Sequence, residues 1–135
     1  MSRLTINTDG LSKNNPGQAA IGAVLRNARR EKVATISQAI GIATNNEAEY
    51  RAVIAALEKA LSLGAKQVDV LSDSELMVRQ LNGRYRVKSE GLQPLHLEAT
   101  RLMGQFEKVT VKYIPRERNT EADKLANAAI TRKRQ

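Results

Sequence analysis

Residues 44–72 constrain the fold more than any other stretch. Thr44-Asn45-Asn46-Glu47 reads as a helix start. Thr44 with Glu47 three residues on fits a capping box, and Asn45 or Asn46 offers an alternative cap. An apolar stripe follows at helical spacing, Tyr50, Val53, Ile54, Leu57 and Leu61, and Gly64 closes the helix. The period then changes at once. Lys66-Gln67-Val68-Asp69-Val70-Leu71-Ser72 has the near-continuous apolar centre of a buried strand, which favours parallel pairing. A right-handed crossover through the helix permits the first strand of the chain to lie beside it.

The flanking sequence fills in the rest. Leu4 to Thr8 alternates apolar and polar residues and ends at Asp9-Gly10, so it reads as a strand running into a turn. Leu11 to Gly17 is turn chemistry. Ala20–Arg26 and Lys32–Ile40 read as two more strands joined by a hairpin loop at residues 27–31. After Asp73-Ser74, a short helix over Glu75–Asn82 stops at Gly83, and a basic connection covers Arg84–Gly91. Leu92, Leu95, Ala99, Leu102 and Phe106 predict another helix, and Val109, Val111 and Tyr113 a fifth strand. Past the loop Ile114–Asn119, Asn119 or Thr120 caps a last helix with the stripe Ala122, Leu125, Ala126, Ala129. The expected architecture is α/β: a five-stranded mixed sheet, its first three strands antiparallel, the fourth and fifth parallel to the first, with helices on both faces. The 135 residues suit a single domain, 1–135, with a basic tail over 130–135.

Composition narrows the function classes. No apolar run reaches the roughly 18 residues of a membrane span, and Met1-Ser2-Arg3 leading into a strand lacks the pattern of a signal peptide. The chain has no cysteine, which excludes disulfides, thiolate metal sites and a cysteine nucleophile. That fits a reducing compartment, and a cytoplasmic location is expected. Lys and Arg number 22 against 14 Asp and Glu, a net charge of +8 that suggests a polyanionic partner such as nucleic acid.

Four acids stand out against this basic background. Helical spacing puts Glu49 beside Ala52, Val53 and Ala56, on the edge of the packed side, where a carboxylate is costly without a cation or donor. Asp9 and Asp73 each follow a strand read as buried, at the end of the sheet where open α/β folds place their ligands. Asp123 falls in the first turn of the last helix. Taken singly, each has an ordinary alternative as a turn, cap or helix-dipole residue. Taken together, they form a cluster whose mutual repulsion a divalent cation would relieve. Magnesium suits such an all-oxygen site.

The blocks Thr8-Asp9-Gly10 with Asn15-Pro16-Gly17, Thr44-Asn45-Asn46-Glu47-Ala48-Glu49-Tyr50, Ser72-Asp73-Ser74, and Pro115-Arg116-Glu117 with Asn119 and Glu121-Ala122-Asp123 resemble the type 1 ribonuclease H family, in particular its compact bacterial and archaeal members. The resemblance spans residue 4 to about 130, with the blocks in family order. It implies hydrolysis of the RNA strand of RNA–DNA hybrids to 5′-phosphate and 3′-hydroxyl ends, with two Mg²⁺ ions, for which Mn²⁺ can substitute, held by Asp9, Glu49, Asp73 and Asp123. Glu49 is also expected to meet a ribose 2′-hydroxyl. Gly10, Asn15, Thr44, Asn45, Asn46, Ser74 and Glu75 match positions that face substrate. Double-stranded RNA is a second candidate substrate; no membrane and no obligate protein partner are implied.

Three departures from the family pattern stand out. Many relatives carry a histidine in the loop before the last helix; here Arg116 takes that place, and it is expected to contact the scissile phosphate or to assist metal exit. The single histidine, His96, falls mid-helix and reads as structural or solvent-facing. Glu75 stands where relatives often have Gln. There is no Trp, and only Arg84, Arg86 and Lys88 lie where larger relatives insert a basic protrusion. Arg26, Arg29, Arg30 and Lys32 flank the hairpin turn, and Arg132-Lys133-Arg134 end the chain with further positive charge.

Overall fold

A computed structural model describes residues 2–134, the side chains of residues 132–134 excepted. Its elements run β1 (Arg3–Ser12), β2 (Gly17–Arg26), β3 (Lys32–Ala43), α1 (Asn45–Ser62), β4 (Gln67–Ser72), α2 (Glu75–Leu81), α3 (Gln93–Met103), β5 (Lys108–Tyr113) and α4 (Thr120–Arg134), with a 3-10 turn at Arg116–Arg118 before α4. The five strands form one sheet in the order β3-β2-β1-β4-β5. The β1–β2 and β2–β3 pairs are antiparallel; β4 runs parallel to both β1 and β5. The expected mixed sheet with helices on both faces is therefore present.

Alternation along β1 decides which helix meets which face. Leu4 and Ile6 point into the main core with Val68, Val70 and Val111, and α1, α2 and α3 cover that side. The α4 helix packs on the opposite face, where Ala129 and Ile130 meet Ala20. The first helix is specified at both ends. At its start the Thr44 hydroxyl accepts from the Glu47 backbone N–H while the Glu47 carboxylate accepts from the Thr44 N–H, a complete capping box. At its end Gly64, at φ +82°, takes the left-handed turn, and the N–H groups of Gly64 and Ala65 return to the carbonyls of Leu61 and Ala60. That is a Schellman closure, and it needs a residue without Cβ strain at position 64.

Several boundaries differ from the sequence reading. Asp9 and Gly10 are not a turn: β1 continues to Ser12 because β2 pairs with it as far as Ser12↔Ala19. Only the parallel ladder to β4 stops early, at Thr8↔Ser72. Likewise β2 begins at Gly17 and β3 reaches Ala43, each lengthened by hairpin pairing that local turn residues do not reveal. Phe106 lies beyond α3, which ends at Met103. The supposed tail is helical through Arg134, and Ile130 is buried. The side chains of Arg132, Lys133 and Arg134, and residue Gln135, lie outside the described residues. Among the described residues no helix is long and apolar enough to cross a membrane.

Candidate active site

The parallel register sets the centre of the site. Thr8 pairs with Ser72, so the next residues along the two strands, Asp9 and Asp73, emerge side by side at the end of the ladder. Two glycines then let helices approach Asp9 from both faces. Gly10 has no room for a side chain: a Cβ there would overlap the Ala48 carbonyl and the Glu49 nitrogen of α1. Gly22, paired with Asp9 across the β1–β2 ladder, is equally confined by Ala122 and Ala126 of α4. Glu49 arrives from one face and Asp123 from the other. Sequence reading placed Gly10 on the substrate surface; its closest role is to admit α1, and Gly22 was missed because an isolated glycine in a strand carries no local sign of what crosses it.

Glu49 is locked in place when the Gly10 N–H donates to its Oε1 at 2.9 Å. Oxygen atoms of Asp9, Glu49 and Asp73 lie within 4.8 Å of one another. Asp123 is outside that trio but half-buried and near enough to Asp9 to raise its proton affinity. Asp9 and Glu49 are buried, at 6% and 9% exposure. Burial, then the Asp73 charge, then contact with Asp123 push the Asp9 carboxyl up to about 8, against a smaller opposing pull from the Gly10 N–H. Glu49 is also held well above the usual carboxylate range, first by burial and then by Asp9 and Asp73; the Gly10 N–H and the positive charge of Arg116 pull the other way.

These acids fit a hard divalent cation. The donors are all oxygen, they converge from separate elements, and among the described residues none of the three is ion-paired to a lysine or arginine. Burial first and neighbouring like charges second raise the proton affinity of Asp9 and Glu49, and a bound cation would oppose both effects.

The remaining candidates form a rim. Arg116 is exposed on the 3-10 turn, and its charge acts on Glu49. Asn15 and Asn45 interlock the loop after β1 with the start of α1: the Asn45 N–H donates to Asn15 Oδ1 at 2.9 Å and the Ser12 N–H donates to Asn45 Oδ1 at 2.7 Å. Asn46 is exposed beside them, and Thr44 is occupied as the α1 cap. Ser74 caps α2, and Glu75 is exposed and paired with Arg79 at 2.6 Å. His96 has partners that the sequence did not suggest: its ring nitrogen lies 3.3 Å from the Gln80 carbonyl, and the ring stands edge-on to Tyr50. Arg26 and Lys32 of the hairpin pair with Glu121. Asn119, one of the two cap candidates for α4, has instead turned inward to Thr8 and Asp73.

Known proteins share this fold. A family described as reverse transcriptase-like matches residues 7–129. The chain is 47% identical over 129 residues to the bifunctional protein Rv2228c of Mycobacterium tuberculosis, which covers 95% of this chain and 35% of that protein. The chain thus spans about a third of the length of that relative. The solved N-terminal RNase H domain of Rv2228c superposes with a TM-score of 0.91 at 47% identity, over 94% of this chain and 98% of that one. RNase H1 of the halophilic archaeon Halobacterium salinarum gives 0.94 at 38% identity, over 96% and 98%. LC11-RNase H1, solved in complex with an RNA/DNA hybrid, gives 0.93 at 37% identity, over 98% and 99%.

Proposed function

The chain belongs to the ribonuclease HI family, and on that premise we propose that it is a divalent-metal-dependent endonuclease that hydrolyses the RNA strand of RNA–DNA hybrids, leaving 5′-phosphate and 3′-hydroxyl ends. The observation that carries this reading is the convergence of Asp9, Glu49 and Asp73 within 4.8 Å, with Asp123 beside Asp9, at an open sheet end. Asp9, Glu49, Asp73 and Asp123 would hold a pair of Mg²⁺ ions, or Mn²⁺ in their place. When bound, that pair supplies the positive charge the acids lack and the Lewis acidity that phosphodiester hydrolysis demands.

The chain's own residues do the positioning. The Gly10 N–H fixes Glu49 at one oxygen and leaves the other for the cation or for a ribose hydroxyl, the group that distinguishes RNA from DNA. The interlocked Asn15 and Asn45 present amide groups at the α1 N-terminus, where the helix dipole favours an anionic backbone. Arg116 contributes a fixed positive charge on the Glu49 side, suited to a phosphate oxygen. The net charge of +8 attracts the duplex as a whole. A single domain over 1–135 acting in the cytoplasm completes the proposal.

The test is cleavage of an end-labelled RNA–DNA hybrid with Mg²⁺, Mn²⁺ or EDTA, beside matched duplex RNA and duplex DNA. Metal-dependent cutting confined to the RNA of the hybrid is the expected result. Cutting of duplex RNA at a comparable rate would shift the substrate assignment. Tight hybrid binding without cutting would replace the enzyme with a binding module on the same fold.

A further inference from the structure

We infer that Asn119 is a positioning residue for the metal site, holding one oxygen of Asp73 so that the other faces the cation, with the Thr8 carbonyl and Asn7 together holding the orientation of the Asn119 amide. The inference rests on the reading of Asp73 as a metal ligand. Asn119 is 1% exposed, although it follows an exposed 3-10 turn and precedes an exposed Thr120. Its Nδ2 donates to the Thr8 carbonyl at 2.8 Å and to Asp73 Oδ2 at 3.1 Å, and its Oδ1 accepts from Asn7 Nδ2 at 3.2 Å. One buried amide therefore ties the last residue of β1 paired with β4, the acid just past the end of β4 and the start of α4.

Only one orientation of that amide works. Rotated by half a turn, Oδ1 would face the Thr8 carbonyl and the Asp73 carboxylate, two acceptors, while Nδ2 would face the donor of Asn7. The Thr8 carbonyl, which can only accept, selects the state in which Asn119 donates to Asp73, and the Asn7 donor reinforces it without touching Asp73 itself. Partners of this kind orient metal-binding carboxylates and carry a measurable share of the metal affinity. A purely structural reading would need only the bond to Thr8; the bond to Asp73 is what makes the residue part of the site.

Metal binding is measured on the full chain without hybrid, by Mn²⁺ titration calorimetry and by the Mg²⁺-induced rise in Tm, beside steady-state hydrolysis of a hybrid. Asn119→Ala is expected to weaken metal binding about tenfold, the low end of the range for such outer partners. A similar fall in kcat should follow, with KM for the hybrid within about twofold. Asn7→Val suits a strand, leaves Asn119 in place and removes only the donor that reinforces its orientation; a loss of about threefold in metal affinity is expected, smaller than for removing the direct partner. Unchanged metal affinity in folded Asn119→Ala overturns the proposal, as does a pair of variants that lower Tm alone. Should Asn119→Ala not fold, the Asn7→Val titration decides by the same criterion. Because the titration needs no cleavage, a chain that binds metal but does not cut hybrid fails the functional reading and leaves this one standing.

Discussion

Asp9 and Asp73 are placed by strand register, whereas Asn15 and Arg116 are placed by loops and Asn45 by the exposed first residue of α1. The two regions adjoin, but they respond differently to change. A one-residue slip of β4 against β1 would turn every side chain to the other face, undoing the Leu4, Ile6, Val68 and Val70 core along with the site. The acid centre is thus as rigid as the fold. The rim depends on a few exposed hydrogen bonds such as Asn45 N–H to Asn15, each worth about 1 kcal/mol at most. On the proposed function, chemistry that demands sub-ångström placement would sit on the ladder, and contact with a long, variable substrate on the rim.

The contrast is sharpest at Asp73. Asp73→Asn keeps the size of the side chain, so the fold is expected to survive, and removal of a like charge beside Asp9 and Glu49 should leave the metal-free Tm unchanged or raised. Cleavage should fall by roughly a thousand-fold or more, about 4 kcal/mol of transition-state stabilisation. A variant that cuts hybrid at the parental rate would remove Asp73 from the metal ligands. Gly10→Ala attacks the same centre through packing. A methyl group there meets the backbone of Ala48 and Glu49, which cannot yield as a flexible side chain does. A loss of about 2–3 kcal/mol in denaturant unfolding is expected, against less than about 0.5 kcal/mol for Asn46→Ala on the exposed rim. Equal effects at the two positions would erase the distinction between centre and rim.

Metal removal and pH probe the centre together. In EDTA, Asp9 binds a proton up to about pH 8 in the folded chain but releases it near pH 4 when unfolded. Glu49 is shifted in the same direction. The native state therefore carries more protons than the unfolded one across this window, and stability falls as pH rises, by up to about 1.4 kcal/mol per pH unit for each group. Asp69 and Glu121 shift downward, so their contribution is lost only at lower pH and leaves the window undisturbed. Denaturant midpoints should drop between pH 5 and pH 8 in EDTA, and saturating Mg²⁺ should flatten the profile and raise Tm, because the ion binds only the assembled site. A metal-free protein that is more stable at pH 8 than at pH 5 would contradict the clustering of these acids.

The same division governs how much the sequence discloses. Periodicity exposed the α1 stripe and the buried β4, and the crossover between them put β1 and β4 side by side; Asp9 and Asp73 followed from that. The cap at Thr44 was legible because its partner, Glu47, lies three residues away. Gly22 and Asn119 were not legible. Gly22 meets α4 residues about a hundred positions later, and Asn119 bonds to Thr8, 111 positions away, and to Asp73, 46 positions away. Nothing local distinguishes such an asparagine from a helix cap, and the loop before α4 offered a cap position that suited it. The extension of β1 past Asp9-Gly10 was hidden for the same reason, since a partner strand overrode a strong turn dipeptide.

Arg116 tests the boundary between the two regions with the smallest effect. It stands on an exposed turn like the rest of the rim, yet its charge reaches Glu49 in the centre. Arg116→Ala should leave Tm within about 1 °C, since no buried contact is lost, and lower kcat/KM for hybrid about tenfold, or 1.4 kcal/mol. Arg116→Lys retains charge without the planar fork and should fall between the two. Comparing a single-turnover rate with the steady-state rate then separates two roles. A loss in both places the guanidinium on the phosphate during cleavage, whereas a loss in the steady state alone places it in product or metal departure. An unchanged rate in both assays would make Arg116 a solvated loop cation and confine the catalytic machinery to the residues that the sheet register and the two glycines bring together.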